Sequence, residues 1–131
     1  MIEKQIYEKL RLAWRNHRLT SFQFARVLNF PDIYYYQIGP SAFPAPGWLE
    51  LKVVNTVRSK IEFRKGQLTQ FIEMVQSGVR VSVLIFCERN NFYHLVLPAN
   101  IEAFKYGKCL QDLPVGSCQT ERHLSELLRF F

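Results

Sequence analysis

The sequence predicts an α/β fold in which helices flank a central mixed sheet. Three segments are predicted to be helices, two of them from an apolar stripe at helical spacing, and five have the β-branched and aromatic composition of strands. Their order along the chain, α-β-β-β-α-β-β-α, is typical of layered α/β proteins. Since the chain has 131 residues, we expect a single domain over residues 1–131, with a core over about 3–100 and a C-terminal extension over 101–131.

The first predicted element is a helix over residues 3–16. Tyr7, Leu10 and Trp14 recur at the spacing that places side chains on one face of a helix. Glu3 lies one turn before Tyr7 on the same stripe, so we expect its side chain to point inward. A Glu in the first turn also interacts favourably with the helix dipole, which is the alternative explanation for Glu3.

The strands are predicted from runs rich in β-branched and aromatic residues that are bounded by turn residues. A short turn joins the first two, and a loop with three prolines precedes the third. The predicted strands cover residues 21–28, 32–39, 48–54, 79–88 and 92–99.

Two more helices are expected after the third strand. One starts near Arg64 and ends at Gly78, where glycine favours a C-cap, and Gln67 lies at the N-terminal edge of its apolar stripe. The other covers residues 120–131, with Thr120 as its N-cap. The apolar stripe of the former consists of Leu68, Phe71, Ile72 and Val75.

The composition excludes several classes of protein. Hydrophobic residues make up 48% and charged residues 21% of the chain, which indicates a globular rather than a disordered protein. No apolar run approaches the roughly 20 residues needed to span a bilayer, and the charged N-terminus does not resemble a secretory signal. We therefore expect an intracellular, cytoplasmic protein without membrane contact. The three cysteines form no CxxC pair, so they predict reduced thiols rather than a zinc site or disulfides.

The charges are unevenly distributed. The net charge of +6 favours a polyanionic partner such as nucleic acid. Residues 1–30 and 51–80 each hold six basic and two acidic side chains, whereas residues 31–50 hold two charged side chains, Asp32 and Glu50. Two isolated carboxylates between basic segments suit a cation site that faces a phosphate backbone.

The third predicted strand carries Glu50 and Lys52 two residues apart. Because successive strand side chains point to opposite faces, these two share one face, while Leu49, Leu51 and Val53 share the other. The apolar opposite face and apolar flanks predict that this strand is central in the sheet. A charged pair on a central strand is unusual, since buried charges need partners.

The order of these motifs resembles the PD-(D/E)xK nuclease superfamily. The letters PD, which end at Asp32, are followed by ELK from Glu50 to Lys52, and then by a helix that opens with FRKGQ and leads into GVRVSVLIF. The resemblance covers roughly residues 3–86 and is most similar to VRR-type nuclease and Holliday-junction resolvase domains. It implies a restriction-endonuclease-like core, built from a helix, three strands, a helix and a further strand, and it implies a Mg-dependent endodeoxyribonuclease.

The resemblance also implies a set of site residues. Asp32 and Glu50 would bind Mg²⁺, for which Mn²⁺ can substitute, and Lys52 would assist the attacking water. Gln67 would support the site from the second helix, and Glu3 would match an acidic residue that many members carry on the first helix. A branched or structured DNA substrate, a homodimer and a phage or mobile-element origin follow from the same resemblance. The small size of the chain argues against a separate sequence-reading domain, so we expect a partner protein to supply targeting.

The chemistry of phosphodiester hydrolysis points to the same residues. The reaction needs an activated water, neutralisation of the phosphate charge and stabilisation of the leaving oxygen, all of which a divalent cation can supply. Mg²⁺ usually takes one or two carboxylates and several waters, so Asp32, Glu50 and the Leu51 carbonyl would suffice. Lys52 can reach the water and the scissile phosphate, and Gln67 near a helix N-terminus can orient either one.

Two groups of basic side chains are expected to contact the phosphate backbone of DNA. One lies in the loop that flanks the predicted site, and the other lies on the first helix. The loop group comprises Arg58, Lys60, Arg64 and Lys65, and the helix group comprises Arg11 and Arg15.

Each site residue has a structural alternative. Asp32 follows a proline, and this pair is common in turns. Glu50 and Lys52 would be an ordinary exposed ion pair on an edge strand, and Gln67 would then be a simple N-terminal helix residue. For the whole protein, the alternatives are a catalytically inactive nucleic-acid-binding module and a protein-interaction module.

The sequence shows no other catalytic or metal-binding motif. The three histidines lack ligand spacing, and no Ser-His-Asp, Cys-His or Gly-rich phosphate motif is present.

Overall fold

The computed structural model describes residues 3–16, 22–26, 31, 33–37 and 46–131. The described strands form one six-stranded mixed sheet in the order β1-β2-β3-β4-β5-β6. The strands are β1 Phe22–Arg26, β2 Ile33–Gln37, β3 Gly47–Val54, β4 Val81–Cys87, β5 Phe92–Val96 and β6 Gln119–Glu121. The helices are α1 Glu3–Asn16, α2 Gln67–Gln76 and α3 Leu124–Leu127, with 3₁₀ segments at Pro98–Lys105, Leu110–Asp112 and Leu128–Phe130. The predicted α/β class is confirmed.

The sheet is antiparallel except at its centre. β1, β2 and β3 form an antiparallel meander, β4 runs parallel to β3, and β5 and β6 continue antiparallel. Parallel neighbours need a crossover connection, and here α2 lies between β3 and β4 in the chain. β3 has a hydrogen-bonded neighbour on each side, which confirms the prediction that it is a central strand.

The two faces of the sheet bury separate apolar clusters. On the face that we call the α1 face, Leu49 and Leu51 pack in one cluster with residues of α1 and α3. On the opposite face, which we call the α2 face, Trp48 and Val54 pack with residues of α2 and of the Pro98–Lys105 segment. The predicted alternation along β3 is therefore confirmed. The fully buried anchors of the two clusters are Ile6, Leu10 and Leu127 on the α1 face, and Phe71 and Ile101 on the α2 face, each at most 1% exposed.

The second helix begins later than predicted. α2 starts at Gln67 rather than near Arg64, because Gly66 has a φ of 79°, a left-handed conformation that cannot continue into an α-helix. The segment before Gln67 contributes to the apolar core instead. The Phe63 ring lies edge-on to the Phe71 ring, with 6.2 Å between their centroids. At the other end the C-cap is Ser77, and Gly78 follows with a φ of 88°, so the predicted glycine stop is confirmed.

The prediction of a helix over residues 120–131 is wrong in its first part. Thr120 is not an N-cap but lies in β6, where it pairs with His94 of β5. The three residues of β6 pair with Tyr93–Leu95 of β5, and α3 begins only at Leu124. Among the described helices, none has the length and apolarity needed to cross a bilayer.

Candidate active site

The α2 face of β3 carries the charged pair at the centre of the sheet. Glu50 pairs with Val83 of β4, and Lys52 pairs with Ile85, both of which are fully buried. Glu50 is 3% exposed, and the Lys52 side chain is 14% exposed. Burying either charge between aliphatic neighbours is costly unless polar groups compensate it. The pair is therefore not the exposed edge-strand pair of the structural alternative.

Gln67 compensates both charges from the first residue of α2. Its side-chain Nε2 donates to Glu50 Oε2 over 2.7 Å, while its Oε1 accepts from Lys52 Nζ over 3.3 Å. Lys52 Nζ also lies 3.3 Å from Glu50 Oε2, which closes a triangle of three side chains. The chemistry fixes the orientation of the amide, because its NH₂ end must face the carboxylate and its oxygen the ammonium group. Gln67 is 5% exposed, so it links α2 to β3 in a dry environment.

The segment before α2 completes the surroundings of Lys52. The backbone N–H of Arg64 donates to Gln67 Oε1 over 3.0 Å, so the amide oxygen accepts from two donors. The Lys52 ammonium lies 4.8 Å from the centre of the Phe63 ring, within the range of a cation–π contact. Phe63 in turn lies 5.0 Å from the Phe104 ring. Lys52 is thus held by a carboxylate, an amide and an aromatic face.

A cavity of about 400 Å³ opens beside Lys52. Its volume lies within the range typical of small-ligand sites. Acidic and basic side chains both line the cavity, and the basic ones are in excess. The cavity is therefore suited to bind an anion next to a cation. Its lining residues are Glu3, Lys52, Val53, Val54, Lys60, Glu62, Phe63 and Arg64.

The predicted catalytic residues are brought together in part. Glu50, Lys52 and Gln67 converge, and Glu3, on a different helix, lines the same cavity as Lys52. Asp32 lies outside the described residues. The Leu51 side chain is buried on the α1 face, so the predicted role concerns its backbone carbonyl alone.

The predicted phosphate contacts fall in different places. Lys60 and Arg64 line the cavity, and Lys65 is exposed two residues before the first residue of α2. Arg58 is exposed, and its Nε donates to Gln111 Oε1 over 3.1 Å. The side chain of Arg15 lies outside the described residues. The predicted helix group therefore has one described member, Arg11, which lies 3.7 Å from Glu8 on exposed α1 surface.

Sequence reasoning missed two contributors. Phe63 forms the aromatic wall under Lys52, yet in the sequence it stands alone between charged residues and carries no periodic signal. Glu62 adds a second carboxylate to the cavity wall with Glu3. The sequence signal for this segment was the FRKGQ stretch, in which the glutamine begins a helix. This signal indicated that the residues before the helix lie near the site.

The donors around Lys52 fit a hard cation rather than a soft one. The acidic side chains in the cavity wall are those of Glu3 and Glu62, and the described wall contains no thiol or imidazole. Within the described ranges, no three His, Cys, Asp or Glu side chains lie close enough to hold one metal ion. A cation would therefore rely on one or two carboxylates and on water, which is the usual arrangement for Mg²⁺.

Comparison with known proteins gave no match. No family model matches it, and no significantly similar curated protein or solved structure was found.

Proposed function

We propose that this protein is a metal-dependent DNA endonuclease of the PD-(D/E)xK type that hydrolyses phosphodiester bonds of branched or structured DNA. The observation that carries the proposal is the Glu50, Lys52 and Gln67 triangle on a central strand. A buried ion pair contributes little to stability compared with apolar residues of similar volume. A functional role explains why a carboxylate and an ammonium group occupy the centre of the sheet.

The order of elements supports the same proposal. A helix, an antiparallel meander of three strands, a helix and a strand parallel to the third follow one another along the chain. This order is compatible with the restriction-endonuclease-like core that the sequence resemblance implies. The mixed charges of the cavity are compatible with binding a phosphate and a cation side by side.

In this proposal each predicted metal ligand has a defined task. Glu50 and Asp32 would hold Mg²⁺ or Mn²⁺, with Glu3 and the Leu51 carbonyl as further ligands. When bound, the cation would neutralise phosphate charge and make the attacking water more acidic. Asp32 adjoins Ile33, which pairs with Leu49, the neighbour of Glu50.

The other residues act on the water and the phosphate. Lys52 Nζ, on the same strand face as Glu50, donates to the attacking water or to a non-bridging phosphate oxygen. Gln67 holds the Glu50 carboxylate in one orientation through its 2.7 Å hydrogen bond. Lys60 and Arg64 bind the flanking phosphates. A homodimer would present two such sites to two strands, and a partner protein would supply targeting.

Incubation with supercoiled, branched and single-stranded DNA plus Mg²⁺ or Mn²⁺ tests the proposal. The wild type is expected to cleave at least one substrate, and Asp32→Ala, Glu50→Gln and Lys52→Ala are expected to reduce the rate by about 10²- to 10⁴-fold. Lys9→Ala, which removes an exposed charge on α1, serves as the control and should cleave normally. Absence of cleavage by the wild type on every substrate rejects the endonuclease.

One observation favours a second candidate, a catalytically inactive nucleic-acid-binding module. In the structure Glu50 Oε2 already accepts from both Gln67 and Lys52, so the triangle satisfies itself without a metal ion. An inactive module would bind DNA equally well with Mg²⁺ and with EDTA, and Glu50→Gln would leave that binding unchanged. A protein-interaction module would bind no DNA even at low salt, where phosphate contacts are strongest.

A further inference from the structure

Tyr106 is a large aromatic side chain that the fold presents to solvent. It is 82% exposed, whereas the Phe104 ring two residues earlier is 2% exposed. Lysines stand on both sides of it in the sequence, at Lys105 and Lys108, and both are exposed. We refer to residues 105–108 as the KYGK turn.

The backbone of the KYGK turn is held in place although its side chains are exposed. The N–H groups of Tyr106 and Gly107 both donate to the Ala103 carbonyl, over 3.1 Å and 2.9 Å. Gly107 is buried, and a Cβ atom there would lie 2.9 Å from Leu113 Cδ2 and 3.0 Å from the Asp112 backbone. The chain therefore packs too closely at Gly107 for another residue. An aromatic ring on a fixed backbone loses little conformational entropy when it binds a partner.

Backbone pairing connects the KYGK turn to the candidate active site. The Ile61 N–H donates to the Lys108 carbonyl over 2.7 Å, and Lys60 pairs with Cys109. Lys60 is one of the residues that line the cavity beside Lys52, so the KYGK turn is paired with a segment of the cavity wall.

A chain of aromatic contacts makes a second connection. The Phe104 ring lies 5.0 Å from Phe63, whose own ring lies 4.8 Å from the Lys52 ammonium. Tyr106 is two residues from Phe104, which is at most about 7 Å of backbone. Lys52, Phe63 and Phe104 are thus in contact one after the other, and Phe104 belongs to the segment that leads into the KYGK turn.

Lysine side chains surround the KYGK turn. Lys105, Lys108 and Lys60 place three positive charges around it. Three acids lie near the turn as well, Glu62, Glu102 and Asp112. Glu102 accepts from Gln76 over 3.4 Å and Asp112 from the Cys109 thiol over 3.2 Å, and these neutral donors offset no charge. The lysines therefore offer individual phosphate contacts rather than a surface of net positive charge. An exposed aromatic ring flanked by lysines, with no apolar neighbour in the KYGK turn, is the combination that single-stranded nucleic acids bind.

We infer that the KYGK turn is a stacking platform for an unpaired base close to the cleavage site. Tyr106 stacks on the base, and Lys105 and Lys108 bind the phosphates on either side of it. The inference rests on the proposed function and narrows its substrate class to DNA that carries a single-stranded segment at the site, such as a flap, a splayed arm or an open junction. A fully paired duplex offers no base face to Tyr106.

Binding in EDTA tests the platform separately from catalysis. Affinities are measured for a single-stranded oligonucleotide, a flapped duplex and a blunt duplex, with wild type, Tyr106→Phe and Tyr106→Ala. Tyr106→Ala is expected to bind the first two about five- to a hundredfold more weakly, and Tyr106→Phe is expected to bind them like the wild type. All three proteins are expected to bind the blunt duplex equally. Leu12→Ala, which removes a 57% exposed side chain on α1, is the control.

Two further readouts identify the contact. A 2-aminopurine base in the flap is expected to lose fluorescence on binding wild type and Tyr106→Phe, because stacking quenches it, but not on binding Tyr106→Ala. Lys105→Ala and Lys108→Ala are each expected to reduce the slope of log affinity against log salt by about 0.7 on single strands.

The possible outcomes separate the platform from the nuclease. Equal flap binding by Tyr106→Ala and wild type, equal losses on flap and blunt duplex, or no binding of single strands by the wild type would each overturn the platform. Failure of the nuclease has a different signature, because the wild type would then cleave nothing with Mg²⁺ or Mn²⁺ while the Tyr106 effect on flap binding in EDTA persisted.

Discussion

The two faces of β3 are built from adjacent residues but follow different rules. On the α1 face, Leu49 and Leu51 are fully buried among aliphatic and aromatic side chains. On the α2 face, Glu50 and Lys52 are nearly as well buried, yet they depend on the hydrogen bonds and ion pair that they share with Gln67. The α1 face stabilises the fold through buried area, whereas the α2 face holds a carboxylate and an ammonium group in a hydrogen-bonded triangle, with Lys52 at the wall of a cavity.

This difference predicts that the stability of the sheet and the proposed function can be separated by substitution. Apolar contacts are non-directional, so the α1 face tolerates side chains of similar volume. The triangle on the α2 face depends on donor and acceptor positions that no other residue type reproduces. Substitutions on opposite faces of the same strand should therefore change different observables.

The largest expected effect comes from the α1 face. Leu49→Ala removes a fully buried side chain beside Glu50 in sequence, and we expect the free energy of unfolding to fall by about 2–5 kcal/mol. Urea denaturation followed by circular dichroism measures this loss. Leu12→Ala, at an exposed position of α1, should change the free energy of unfolding by less than about 0.5 kcal/mol. Cleavage per folded molecule should be retained in Leu49→Ala, and its loss in a still folded protein would show that the two faces are not separable.

A smaller effect is expected from a substitution on the α2 face. It should appear in the rate of cleavage rather than in the free energy of unfolding. Gln67→Leu keeps the volume but removes the donor to Glu50 and the acceptor for Lys52. We expect cleavage to fall about 10- to 100-fold, as for other residues that orient a metal ligand, and the apparent Mg²⁺ affinity to fall with it. Gln76→Leu, the same change at an exposed position of the same helix, is the control. Normal activity in a folded Gln67→Leu would mean that the triangle is structural.

The sequence predicted the α2 face of β3 because strand periodicity is strict. A period of two residues places Glu50 and Lys52 together whatever the rest of the chain does. The role of Gln67 was predicted from the family resemblance and from its expected place near a helix N-terminus, and its contact with Glu50 depends on how α2 packs on the sheet. Local pattern was sufficient to place Glu50 and Lys52 on one face, but not to predict that contact.

Other parts of the molecule depend on contacts between distant segments. Phe63 forms part of the site only because Phe104 and Phe71 pack against it. β6 has three residues, too few to show an alternation, and it exists because the edge of β5 offers hydrogen-bond partners. The late start of α2 depends on one left-handed residue, Gly66, within a segment whose composition otherwise favours a helix.

The smallest expected effect concerns His94, which lies in the same row of the α2 face as Lys52. Lys52, Ile85, His94 and Thr120 form one row across the sheet. His94 Nδ1 lies 3.0 Å from the Thr120 hydroxyl, but its buried Nε2 has no hydrogen-bond partner among the described residues, unlike the satisfied charges of the triangle. Burial lowers the pKa of His94 below its ordinary value of 6.5.

The lowered pKa gives a direction for the pH dependence of stability. The unfolded chain binds the proton more tightly than the folded protein, so the free energy of unfolding should decrease as the pH falls from about 6.5 through the folded-state pKa, and His94 should contribute no pH dependence above that range. Urea denaturation at pH 7.5 and at several lower pH values measures this decrease. His94→Gln should lose part of it, whereas His123→Gln, at an exposed position, should keep the wild-type decrease. If the free energy of unfolding decreased equally in His94→Gln and in the wild type, the unpartnered nitrogen of His94 would be solvated. The region around His94 and the triangle around Lys52 would then not differ in how their buried polar groups are satisfied.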